Sequence, residues 1–455
     1  MIKTKLKTLA EYSQGQFYGK DAEKELEIKG ITTDSRKAAD GVLFACIKGE
    51  RVDGHDFIKK ASEAGAAAVI CEKAPDTDIP YILVDSTVKA LQDIAREMLK
   101  KADIPVVAIG GSVGKTSTKE MVASVLSTKF NILKTEGNFN NELGLPLTIF
   151  ELKEEHEAAV LELGISDFGE MHLLASIARP DICILTNIGD CHLEQLHDRD
   201  GVLKAKTEMF DFLEEDGAII LNGDDERLRR VRPVNGVEPF FFGFNEDNEL
   251  RAVNIKKNGP LGSDYTIETK DLSFDVTIHM PGDHMILNSL AAAAAGLKMG
   301  LTPEMIRQGI ADYVSIDGRF NVIRSGKYTV IDDCYNANPM SMKASLSALA
   351  GMPGRKAALL GDMGELGRDE EQLHFGVGEY AAALDIDVIC CAGPLSRNIV
   401  NGLKENESSS EIHYFSGKEE LISALPQILK DNDTVLVKAS HFMEFQDIVK
   451  SLTAI

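Results

Sequence analysis

VVAIGGSVGKTSTKEM, residues 106–121, is an apolar run that breaks into a glycine-rich turn and continues as a helical pattern. Such a run suits a strand buried on both faces of a parallel sheet. The N–H groups of the turn, with the N-terminus of the helix behind it, form a cradle for phosphate oxygens. Lys115 is placed to reach the β and γ phosphates of a nucleotide, and the Thr116 hydroxyl to sit on Mg²⁺. The general phosphate-loop spacing wants a glycine where Ile109 stands, so the loop here is the shorter Gly111-Ser112-Val113-Gly114-Lys115-Thr116-Ser117. The strand–turn–helix context and the adjacent Lys-Thr pair outweigh a turn without a ligand.

The same rhythm extends outward from this point. Residues 105–110, 158–164, 181–189 and 217–223 are continuous apolar runs with helical patterns between them. This predicts a central parallel sheet with right-handed crossovers over 103–314, including a β-rich excursion at 240–280 and an Ala-rich helix at 285–299. Residues 1–102 read as a mixed α/β domain with strands at 42–47, 66–72 and 81–85, closed by a helix at 88–101. From residue 315 to 455 the α/β rhythm returns, with strands at 328–333, 356–362, 387–393 and 434–438, as in a second doubly wound domain. KENESSSE (residues 404–411) reads as a solvated loop.

Length and charge agree with this division. The chain has 455 residues, which suggests about three domains at roughly 150 residues each. Its formal charge of −23 argues against a general nucleic-acid or anionic-membrane binder, because both need a positive face. A locally positive site for an anionic substrate remains compatible with it. Seven scattered cysteines with no CxxC pair read as reduced thiols of a cytosolic protein. No apolar stretch reaches the ~18 residues of a membrane span, and the N-terminus lacks the apolar core of a secretory signal.

Three further features carry weaker chemistry on their own. Glu162 ends an apolar run, and an acid at a strand's carboxyl end beside the phosphate loop is placed for Mg²⁺. His192 follows the next strand, again at the carboxyl edge. In GVLKAKTEMF (residues 201–210), Lys204 and Lys206 face different sides of a helix. Near the N-terminus, Arg36 beside Ser35 could take a phosphate in a bidentate grip, although a surface role is the commoner one.

Together these stretches resemble one family, the Mur ligases of peptidoglycan synthesis. The motifs are Asp34-Ser35-Arg36 with GHDFI, GGSVGKTSTKEM, KTEGNFNNELGLPLTI, ELGIS, TNIGDCHLE, AKTEMF, PGDHMILNSLAAA, DDCYNANPMSM and GDMGELG, in the family's order over nearly the whole chain. The short phosphate loop is the family's form. DDCYNANP and GNFNNELGLP resemble the branch that adds a D-alanyl-D-alanine dipeptide to UDP-N-acetylmuramoyl-tripeptide.

The resemblance implies a UDP-substrate-binding domain, a central ATPase domain and a C-terminal Rossmann-like domain. It also implies a cytoplasmic monomer that uses ATP and two Mg²⁺ ions. ATP would phosphorylate the substrate carboxylate, and the amine of D-Ala-D-Ala would attack the acyl phosphate. By resemblance, Lys115 and Thr116 bind phosphates and Mg²⁺, and Glu162 holds a metal. His192 matches a ligand of the second ion. Lys206 matches a lysine that is carbamylated into a metal-binding anion. Asn138, Asn140 and Asn141 resemble the substrate loop, Asn288 the adenine-side asparagine, Arg319 an arginine that reaches ATP, and Asp333 the ribose-contacting acid. Asn336 and Asn338 belong to the dipeptide-branch stretch, and Ser35 and Arg36 to the UDP side.

Two stretches depart from the pattern. Met285 stands where the family has Asn, and Lys438-Ala439-Ser440-His441 where it has Lys-Gly-Ser-Arg. The neighbouring branch, which adds the third amino acid, is disfavoured because its Asp-Asn-Pro-Arg-like motif is missing. A nucleotide-dependent switch without ligase chemistry is the alternative from another class. The Asn-rich loop and the second Rossmann-like domain argue against it.

Overall fold

In the computed structural model, which describes residues 1–49 and 51–454, the strand Val106–Gly110 lies inside a nine-stranded sheet. From one edge the strands run Ile132–Lys134, Ala158–Glu162, Val106–Gly110, Ile182–Leu185, Ala218–Asn222, Pro239–Gly243, Leu250–Lys257, Ser263–Glu268 and Ser273–Ile278. The first seven are parallel and the last two pairings are antiparallel, which accounts for the β-rich excursion. After Val106–Gly110 the chain goes to the edge strand Ile132–Lys134, returns to place Ala158–Glu162 between the two, then crosses to build outward on the other side. Such a switch opens a crevice at the strands' carboxyl ends, where α/β sheets bind ligands. Register puts Glu162 opposite Ile109 and Leu185 opposite Gly110, so the motif ends converge there.

The helix that follows the turn, Lys115–Leu126, is covered by the Ala-rich helix Asp283–Lys298. That helix starts two residues before the expected 285. Its run of five alanines, Ala291–Ala295, is fully or almost fully buried, and their small side chains let the two helices pack closely.

The N-terminal sheet has five strands, in the order Gln16–Tyr18, Tyr81–Leu83, Ala68–Cys71, Val42–Ala45 and Gly30–Thr32. Its closing helix Thr87–Ala102 also packs on Gly144–Ile149 and Glu170–Ala178 of the central unit. Arg96 Nε donates to the Ser176 carbonyl at 2.9 Å, and Gln92 to the Glu142 carbonyl at 3.1 Å. One apolar core therefore runs from the N-terminal sheet into the central one.

The C-terminal sheet has the order Asn321–Arg324, Thr329–Asp332, Thr434–Lys438, Lys356–Gly361, Val388–Ala392 and Glu411–Phe415. Only the first strand is antiparallel. The expected strands at 328–333, 356–362, 387–393 and 434–438 are present within a residue at each end. KENESSSE is split: its first residues end the helix Arg397–Glu405, its last begins the edge strand, and the exposed turn lies between. All seven cysteines are buried and free. Among the described residues, no helix is long and apolar enough to cross a membrane.

Candidate active site

A cleft of ≈ 270 Å³ opens at the central switch point. Gly111 takes φ +138, and a Cβ there would lie 2.0 Å from Thr186 Oγ1, so the loop needs glycine at this position. The helix then starts at Lys115, which leaves free N–H groups facing the cleft. Lys115 Nζ donates to the Gly111 carbonyl at 3.0 Å, bending its ammonium back over the loop.

The loop is braced from outside by two residues that sequence reading passed over. Asn187 Oδ1 accepts from Val113 N at 2.8 Å, and Asn187 Nδ2 donates to the Val113 carbonyl at 3.0 Å. Thr186 Oγ1 donates to the same carbonyl at 2.7 Å. The only sequence signal for this was their place at the end of a core strand.

Two orphaned polar atoms indicate what the cleft takes. Glu162 is 2% exposed; its Oε1 accepts from Asn140 Nδ2 at 2.8 Å, while its Oε2 is buried without a partner. A buried carboxylate oxygen with no donor is costly unless a cation satisfies it. Arg319 Nε is likewise buried without an acceptor, and its guanidinium stacks 3.9 Å from the Tyr335 ring centroid. That unpaired donor suits an anion. One orphan for a cation and one for an anion, flanking a phosphate loop, match a nucleotide phosphate chain carrying a divalent ion.

The far wall comes from the C-terminal unit. Asp333 Oδ2 accepts from Lys438 Nζ and Asp333 Oδ1 from Phe320 N, at 2.6 and 3.1 Å. Lys438 is 2% exposed, so this is a buried ion pair. Lys438→Met would leave Asp333 uncompensated and is expected to lower stability by about 3 kcal/mol, read by chemical denaturation. On the central side, Thr118 Oγ1 donates to Asn288 Oδ1 at 3.0 Å.

Beside the cleft lies a second cluster. Lys206 is buried at 1% exposure, whereas Lys204, two residues earlier, is exposed with its Nζ over the Phe168 ring. Burial, against an opposing effect of Cys191 and with a smaller contribution from nearby Lys115, pulls the Lys206 ammonium down to about 8. His192 is also lowered, first by burial, with Lys206 and Lys115 adding to the effect and Glu365 opposing it. The three residues therefore share one electrostatic environment.

Family models assign this architecture. "Mur ligase family, catalytic domain" matches residues 27–110, "Mur ligase middle domain" residues 109–296, and "Mur ligase, glutamate ligase domain" residues 318–441. The UDP-N-acetylmuramoyl-tripeptide--D-alanyl-D-alanine ligase of Bacillus subtilis is 36% identical over 99% of both chains. The protein of that name from Escherichia coli is also 36% identical, over 99% of both chains.

The chain is a Mur ligase.

Among solved structures, MurF from Acinetobacter baumannii superposes with a TM-score of 0.92 at 31% identity, covering 100% of this chain and 99% of that one. MurF ligase from Thermotoga maritima in complex with ADP gives 0.84 at 31% identity, covering 96% and 98%.

In this Mur ligase most of the expected nucleotide-side residues share the cleft. Ser112, Val113, Gly114, Lys115, Thr116, Ser117, Asn138, Asn140, Glu162, Asn288, Arg319, Asp333, Asn336 and Asn338 all line it. Asn141 does not: its Oδ1 accepts from Leu143 N and Gly144 N, capping the next helix. Asn338 reaches the cleft but also caps the helix Pro339–Ala350, accepting from Ser341 N at 2.9 Å. Ser35 and Arg36 lie on the N-terminal unit, away from the cleft. Ser35 is buried, and Arg36 is exposed and bound bidentately to Asp34.

The departures are accommodated. Met285 is buried, with its sulfur 3.6 Å from Asn288 Nδ2. Ala439 packs against Gly361, and His441 tilts on the Tyr335 ring, which also carries the Arg319 stack. His284, which lines the cleft, stands edge-on to Phe320.

Proposed function

We propose that this Mur ligase joins D-alanyl-D-alanine to UDP-N-acetylmuramoyl-tripeptide with ATP, as the names of its full-length relatives state for those proteins. The observation that carries this reading is the single cleft in which the phosphate loop, the Asn138–Asn140 loop and the C-terminal Arg319–Asn338 segment meet.

The chemistry follows from these groups. A carboxylate is a poor electrophile, and transfer of the γ-phosphoryl group onto it creates a leaving group. The phosphate-loop N–H groups hold the nucleotide phosphates, and Lys115 turns from the Gly111 carbonyl to their oxygens. Arg319 supplies a second cation through its unpaired Nε. Asp333 faces the ribose, and Asn288, held by Thr118, faces the base. The dipeptide amine then attacks the acyl carbon, and phosphate leaves as the amide forms.

Thr116 and Glu162 would hold one Mg²⁺, and His192 with carbamylated Lys206 a second. When bound, the ions offset the charge of two approaching anions. Among the described residues no group of three or more His, Cys, Asp or Glu forms a closed metal cage, and Mg²⁺ normally completes its shell with phosphate and water. Ser35 and Arg36 would meet the UDP portion, with Arg36 exchanging Asp34 for a phosphate. The same reading makes the enzyme a cytoplasmic monomer.

Incubation with the UDP-muramoyl tripeptide, ATP, Mg²⁺ and D-Ala-D-Ala is expected to yield a product heavier by the dipeptide less one water, read by mass spectrometry. ADP release that prefers single amino acids over the dipeptide would overturn the reading. Asn288→Ala is expected to raise the KM for ATP about tenfold with kcat little changed, because it removes one hydrogen bond made equally in ground and transition states.

A further inference from the structure

Arg319 lies in the turn that precedes the first strand of the C-terminal sheet, Asn321–Arg324, and its backbone is clamped on both sides. Gly318 N donates to Asp332 Oδ2 at 3.0 Å, and Phe320 N to Asp333 Oδ1 at 3.1 Å. Tyr335 N donates to the Gly318 carbonyl at 3.1 Å. Gly318 and Phe320 both take left-handed backbone, at φ 73 and φ 55. For a bulky residue such as phenylalanine that conformation is rare, and it persists only where the surroundings over-determine it. At 318 a Cβ would also lie 3.1 Å from Tyr335 Cβ, so glycine serves both the turn and the approach of the tyrosine. The end of the strand Thr329–Asp332 and the residues just after it thus fix where Arg319 leaves the chain.

The side chain is held by different means. Arginine carries much rotamer freedom, which must be restrained if its charge is to stand in one place. Asp333, which accepts from the next backbone N–H, is committed to Lys438. The Arg319 guanidinium instead lies over the Tyr335 ring, 3.9 Å from its centroid, and both residues line the cleft. The ring face attracts a cation. Unlike a carboxylate, it neither neutralises the charge nor takes up Nε, which stays buried without an acceptor.

We propose that Tyr335 is a positioning residue for Arg319: its ring holds the guanidinium in the cleft and keeps Nε unspent for the transferring phosphoryl group. This rests on the proposed role of Arg319 at the nucleotide phosphates.

The full chain with ¹⁵N-labelled arginine tests the platform, with no nucleotide added. The Arg319 Nε–H proton, identified by loss of its signal in Arg319→Ala, is expected upfield of the other arginine side chains, because it lies in the shielding region of the ring. Tyr335→Phe should keep that position, and Tyr335→Leu should return it to the common range. A parent signal already in the common range would overturn the proposal, even if Tyr335→Leu failed to fold. So would a signal unmoved in Tyr335→Leu.

Kinetics test the use of the platform. Tyr335→Leu is expected to lower kcat about tenfold with the KM for ATP little changed, because the misplaced charge acts on the transition state. Tyr335→Phe should restore kcat to within about twofold of the parent. In the Arg319→Ala background Tyr335→Leu should cost nothing further, since the group it positions is gone. If it costs the same tenfold there, or raises only the KM, the positioning role falls and the role of Arg319 stands. If Arg319→Ala itself leaves kcat intact, both fall.

Discussion

Lys115→Ala will cut ligase turnover about a thousandfold, the scale expected when a preorganised charge aimed at a transferring phosphoryl group is removed. The size follows from the setting. The protein carries a net charge of −23, and the reaction brings a triphosphate against a carboxylate. Lys438 is already committed to Asp333, which leaves Lys115 and Arg319 as the cations that face the phosphates. Lys115 is also pre-placed, since its ammonium already arches over the loop to the Gly111 carbonyl. Lys115→Arg should not restore activity, because a planar guanidinium cannot replace a point charge on a short loop. Side-chain removal at this half-buried position should leave the melting temperature within a degree or two. Initial rates of ADP release measure the effect, and retention of a tenth of the parental rate would refute the assignment.

Lys206 gives the second large effect, and here activity and stability should move in opposite directions. A buried ammonium with a value near 8 is half deprotonated at that pH. The neutral amine can add CO₂, forming an N–C bond and releasing one proton, so that a cation becomes a carbamate anion. Lys206→Met cannot do this and is expected to lose at least a hundredfold in kcat. Full activity of the variant without added bicarbonate would end the carbamate proposal.

The stability sign follows from linkage. The folded-state value lies below the unfolded value of about 10.4, so the folded protein binds the proton less well. The resulting destabilisation is fully present below about pH 8 and disappears as pH rises past the unfolded value. At pH 7, in CO₂-free buffer, Lys206→Met should therefore be more stable than the parent by on the order of 3 kcal/mol, measured by denaturant titration. In the parent enzyme without added bicarbonate, activity should fall as pH drops below 8, because only the neutral amine reacts with CO₂.

Much of the site was legible from local chemistry. A glycine-rich turn between an apolar strand and a helix has few uses, and Lys115-Thr116 at the helix start narrows them. Glu162 was legible because an apolar run ending in an acid announces a strand edge. Asn141 shows the limit of reading by pattern. Three asparagines lie close together in one loop, yet Asn140 holds Glu162 while Asn141 caps a helix. Composition cannot distinguish those roles, because asparagine serves equally as ligand and as cap.

The bracing of Val113 by Asn187 and Thr186 was not legible either, since it joins residues more than 70 positions apart through sheet register. The same holds for Lys438, whose partner Asp333 is 105 residues away. The contribution of Arg319, Asp333 and Tyr335 from the C-terminal unit to the central cleft was equally hidden, because it depends on how distant segments pack.

By itself, the sequence determined the chemical type of this protein. Phosphate loops, strand ends and capping residues are set by backbone sterics and hydrogen bonding over a few neighbouring positions, and those constraints are written locally. Only the tertiary structure decided which groups stay charged, paired or waiting. Lys204 and Lys206 are chemically the same residue two positions apart, yet Lys204 is exposed while burial is the main cause that lowers Lys206. The unpaired atoms of Glu162 and Arg319 are likewise products of packing, because a polar group is left without water only when distant parts of the chain close around it.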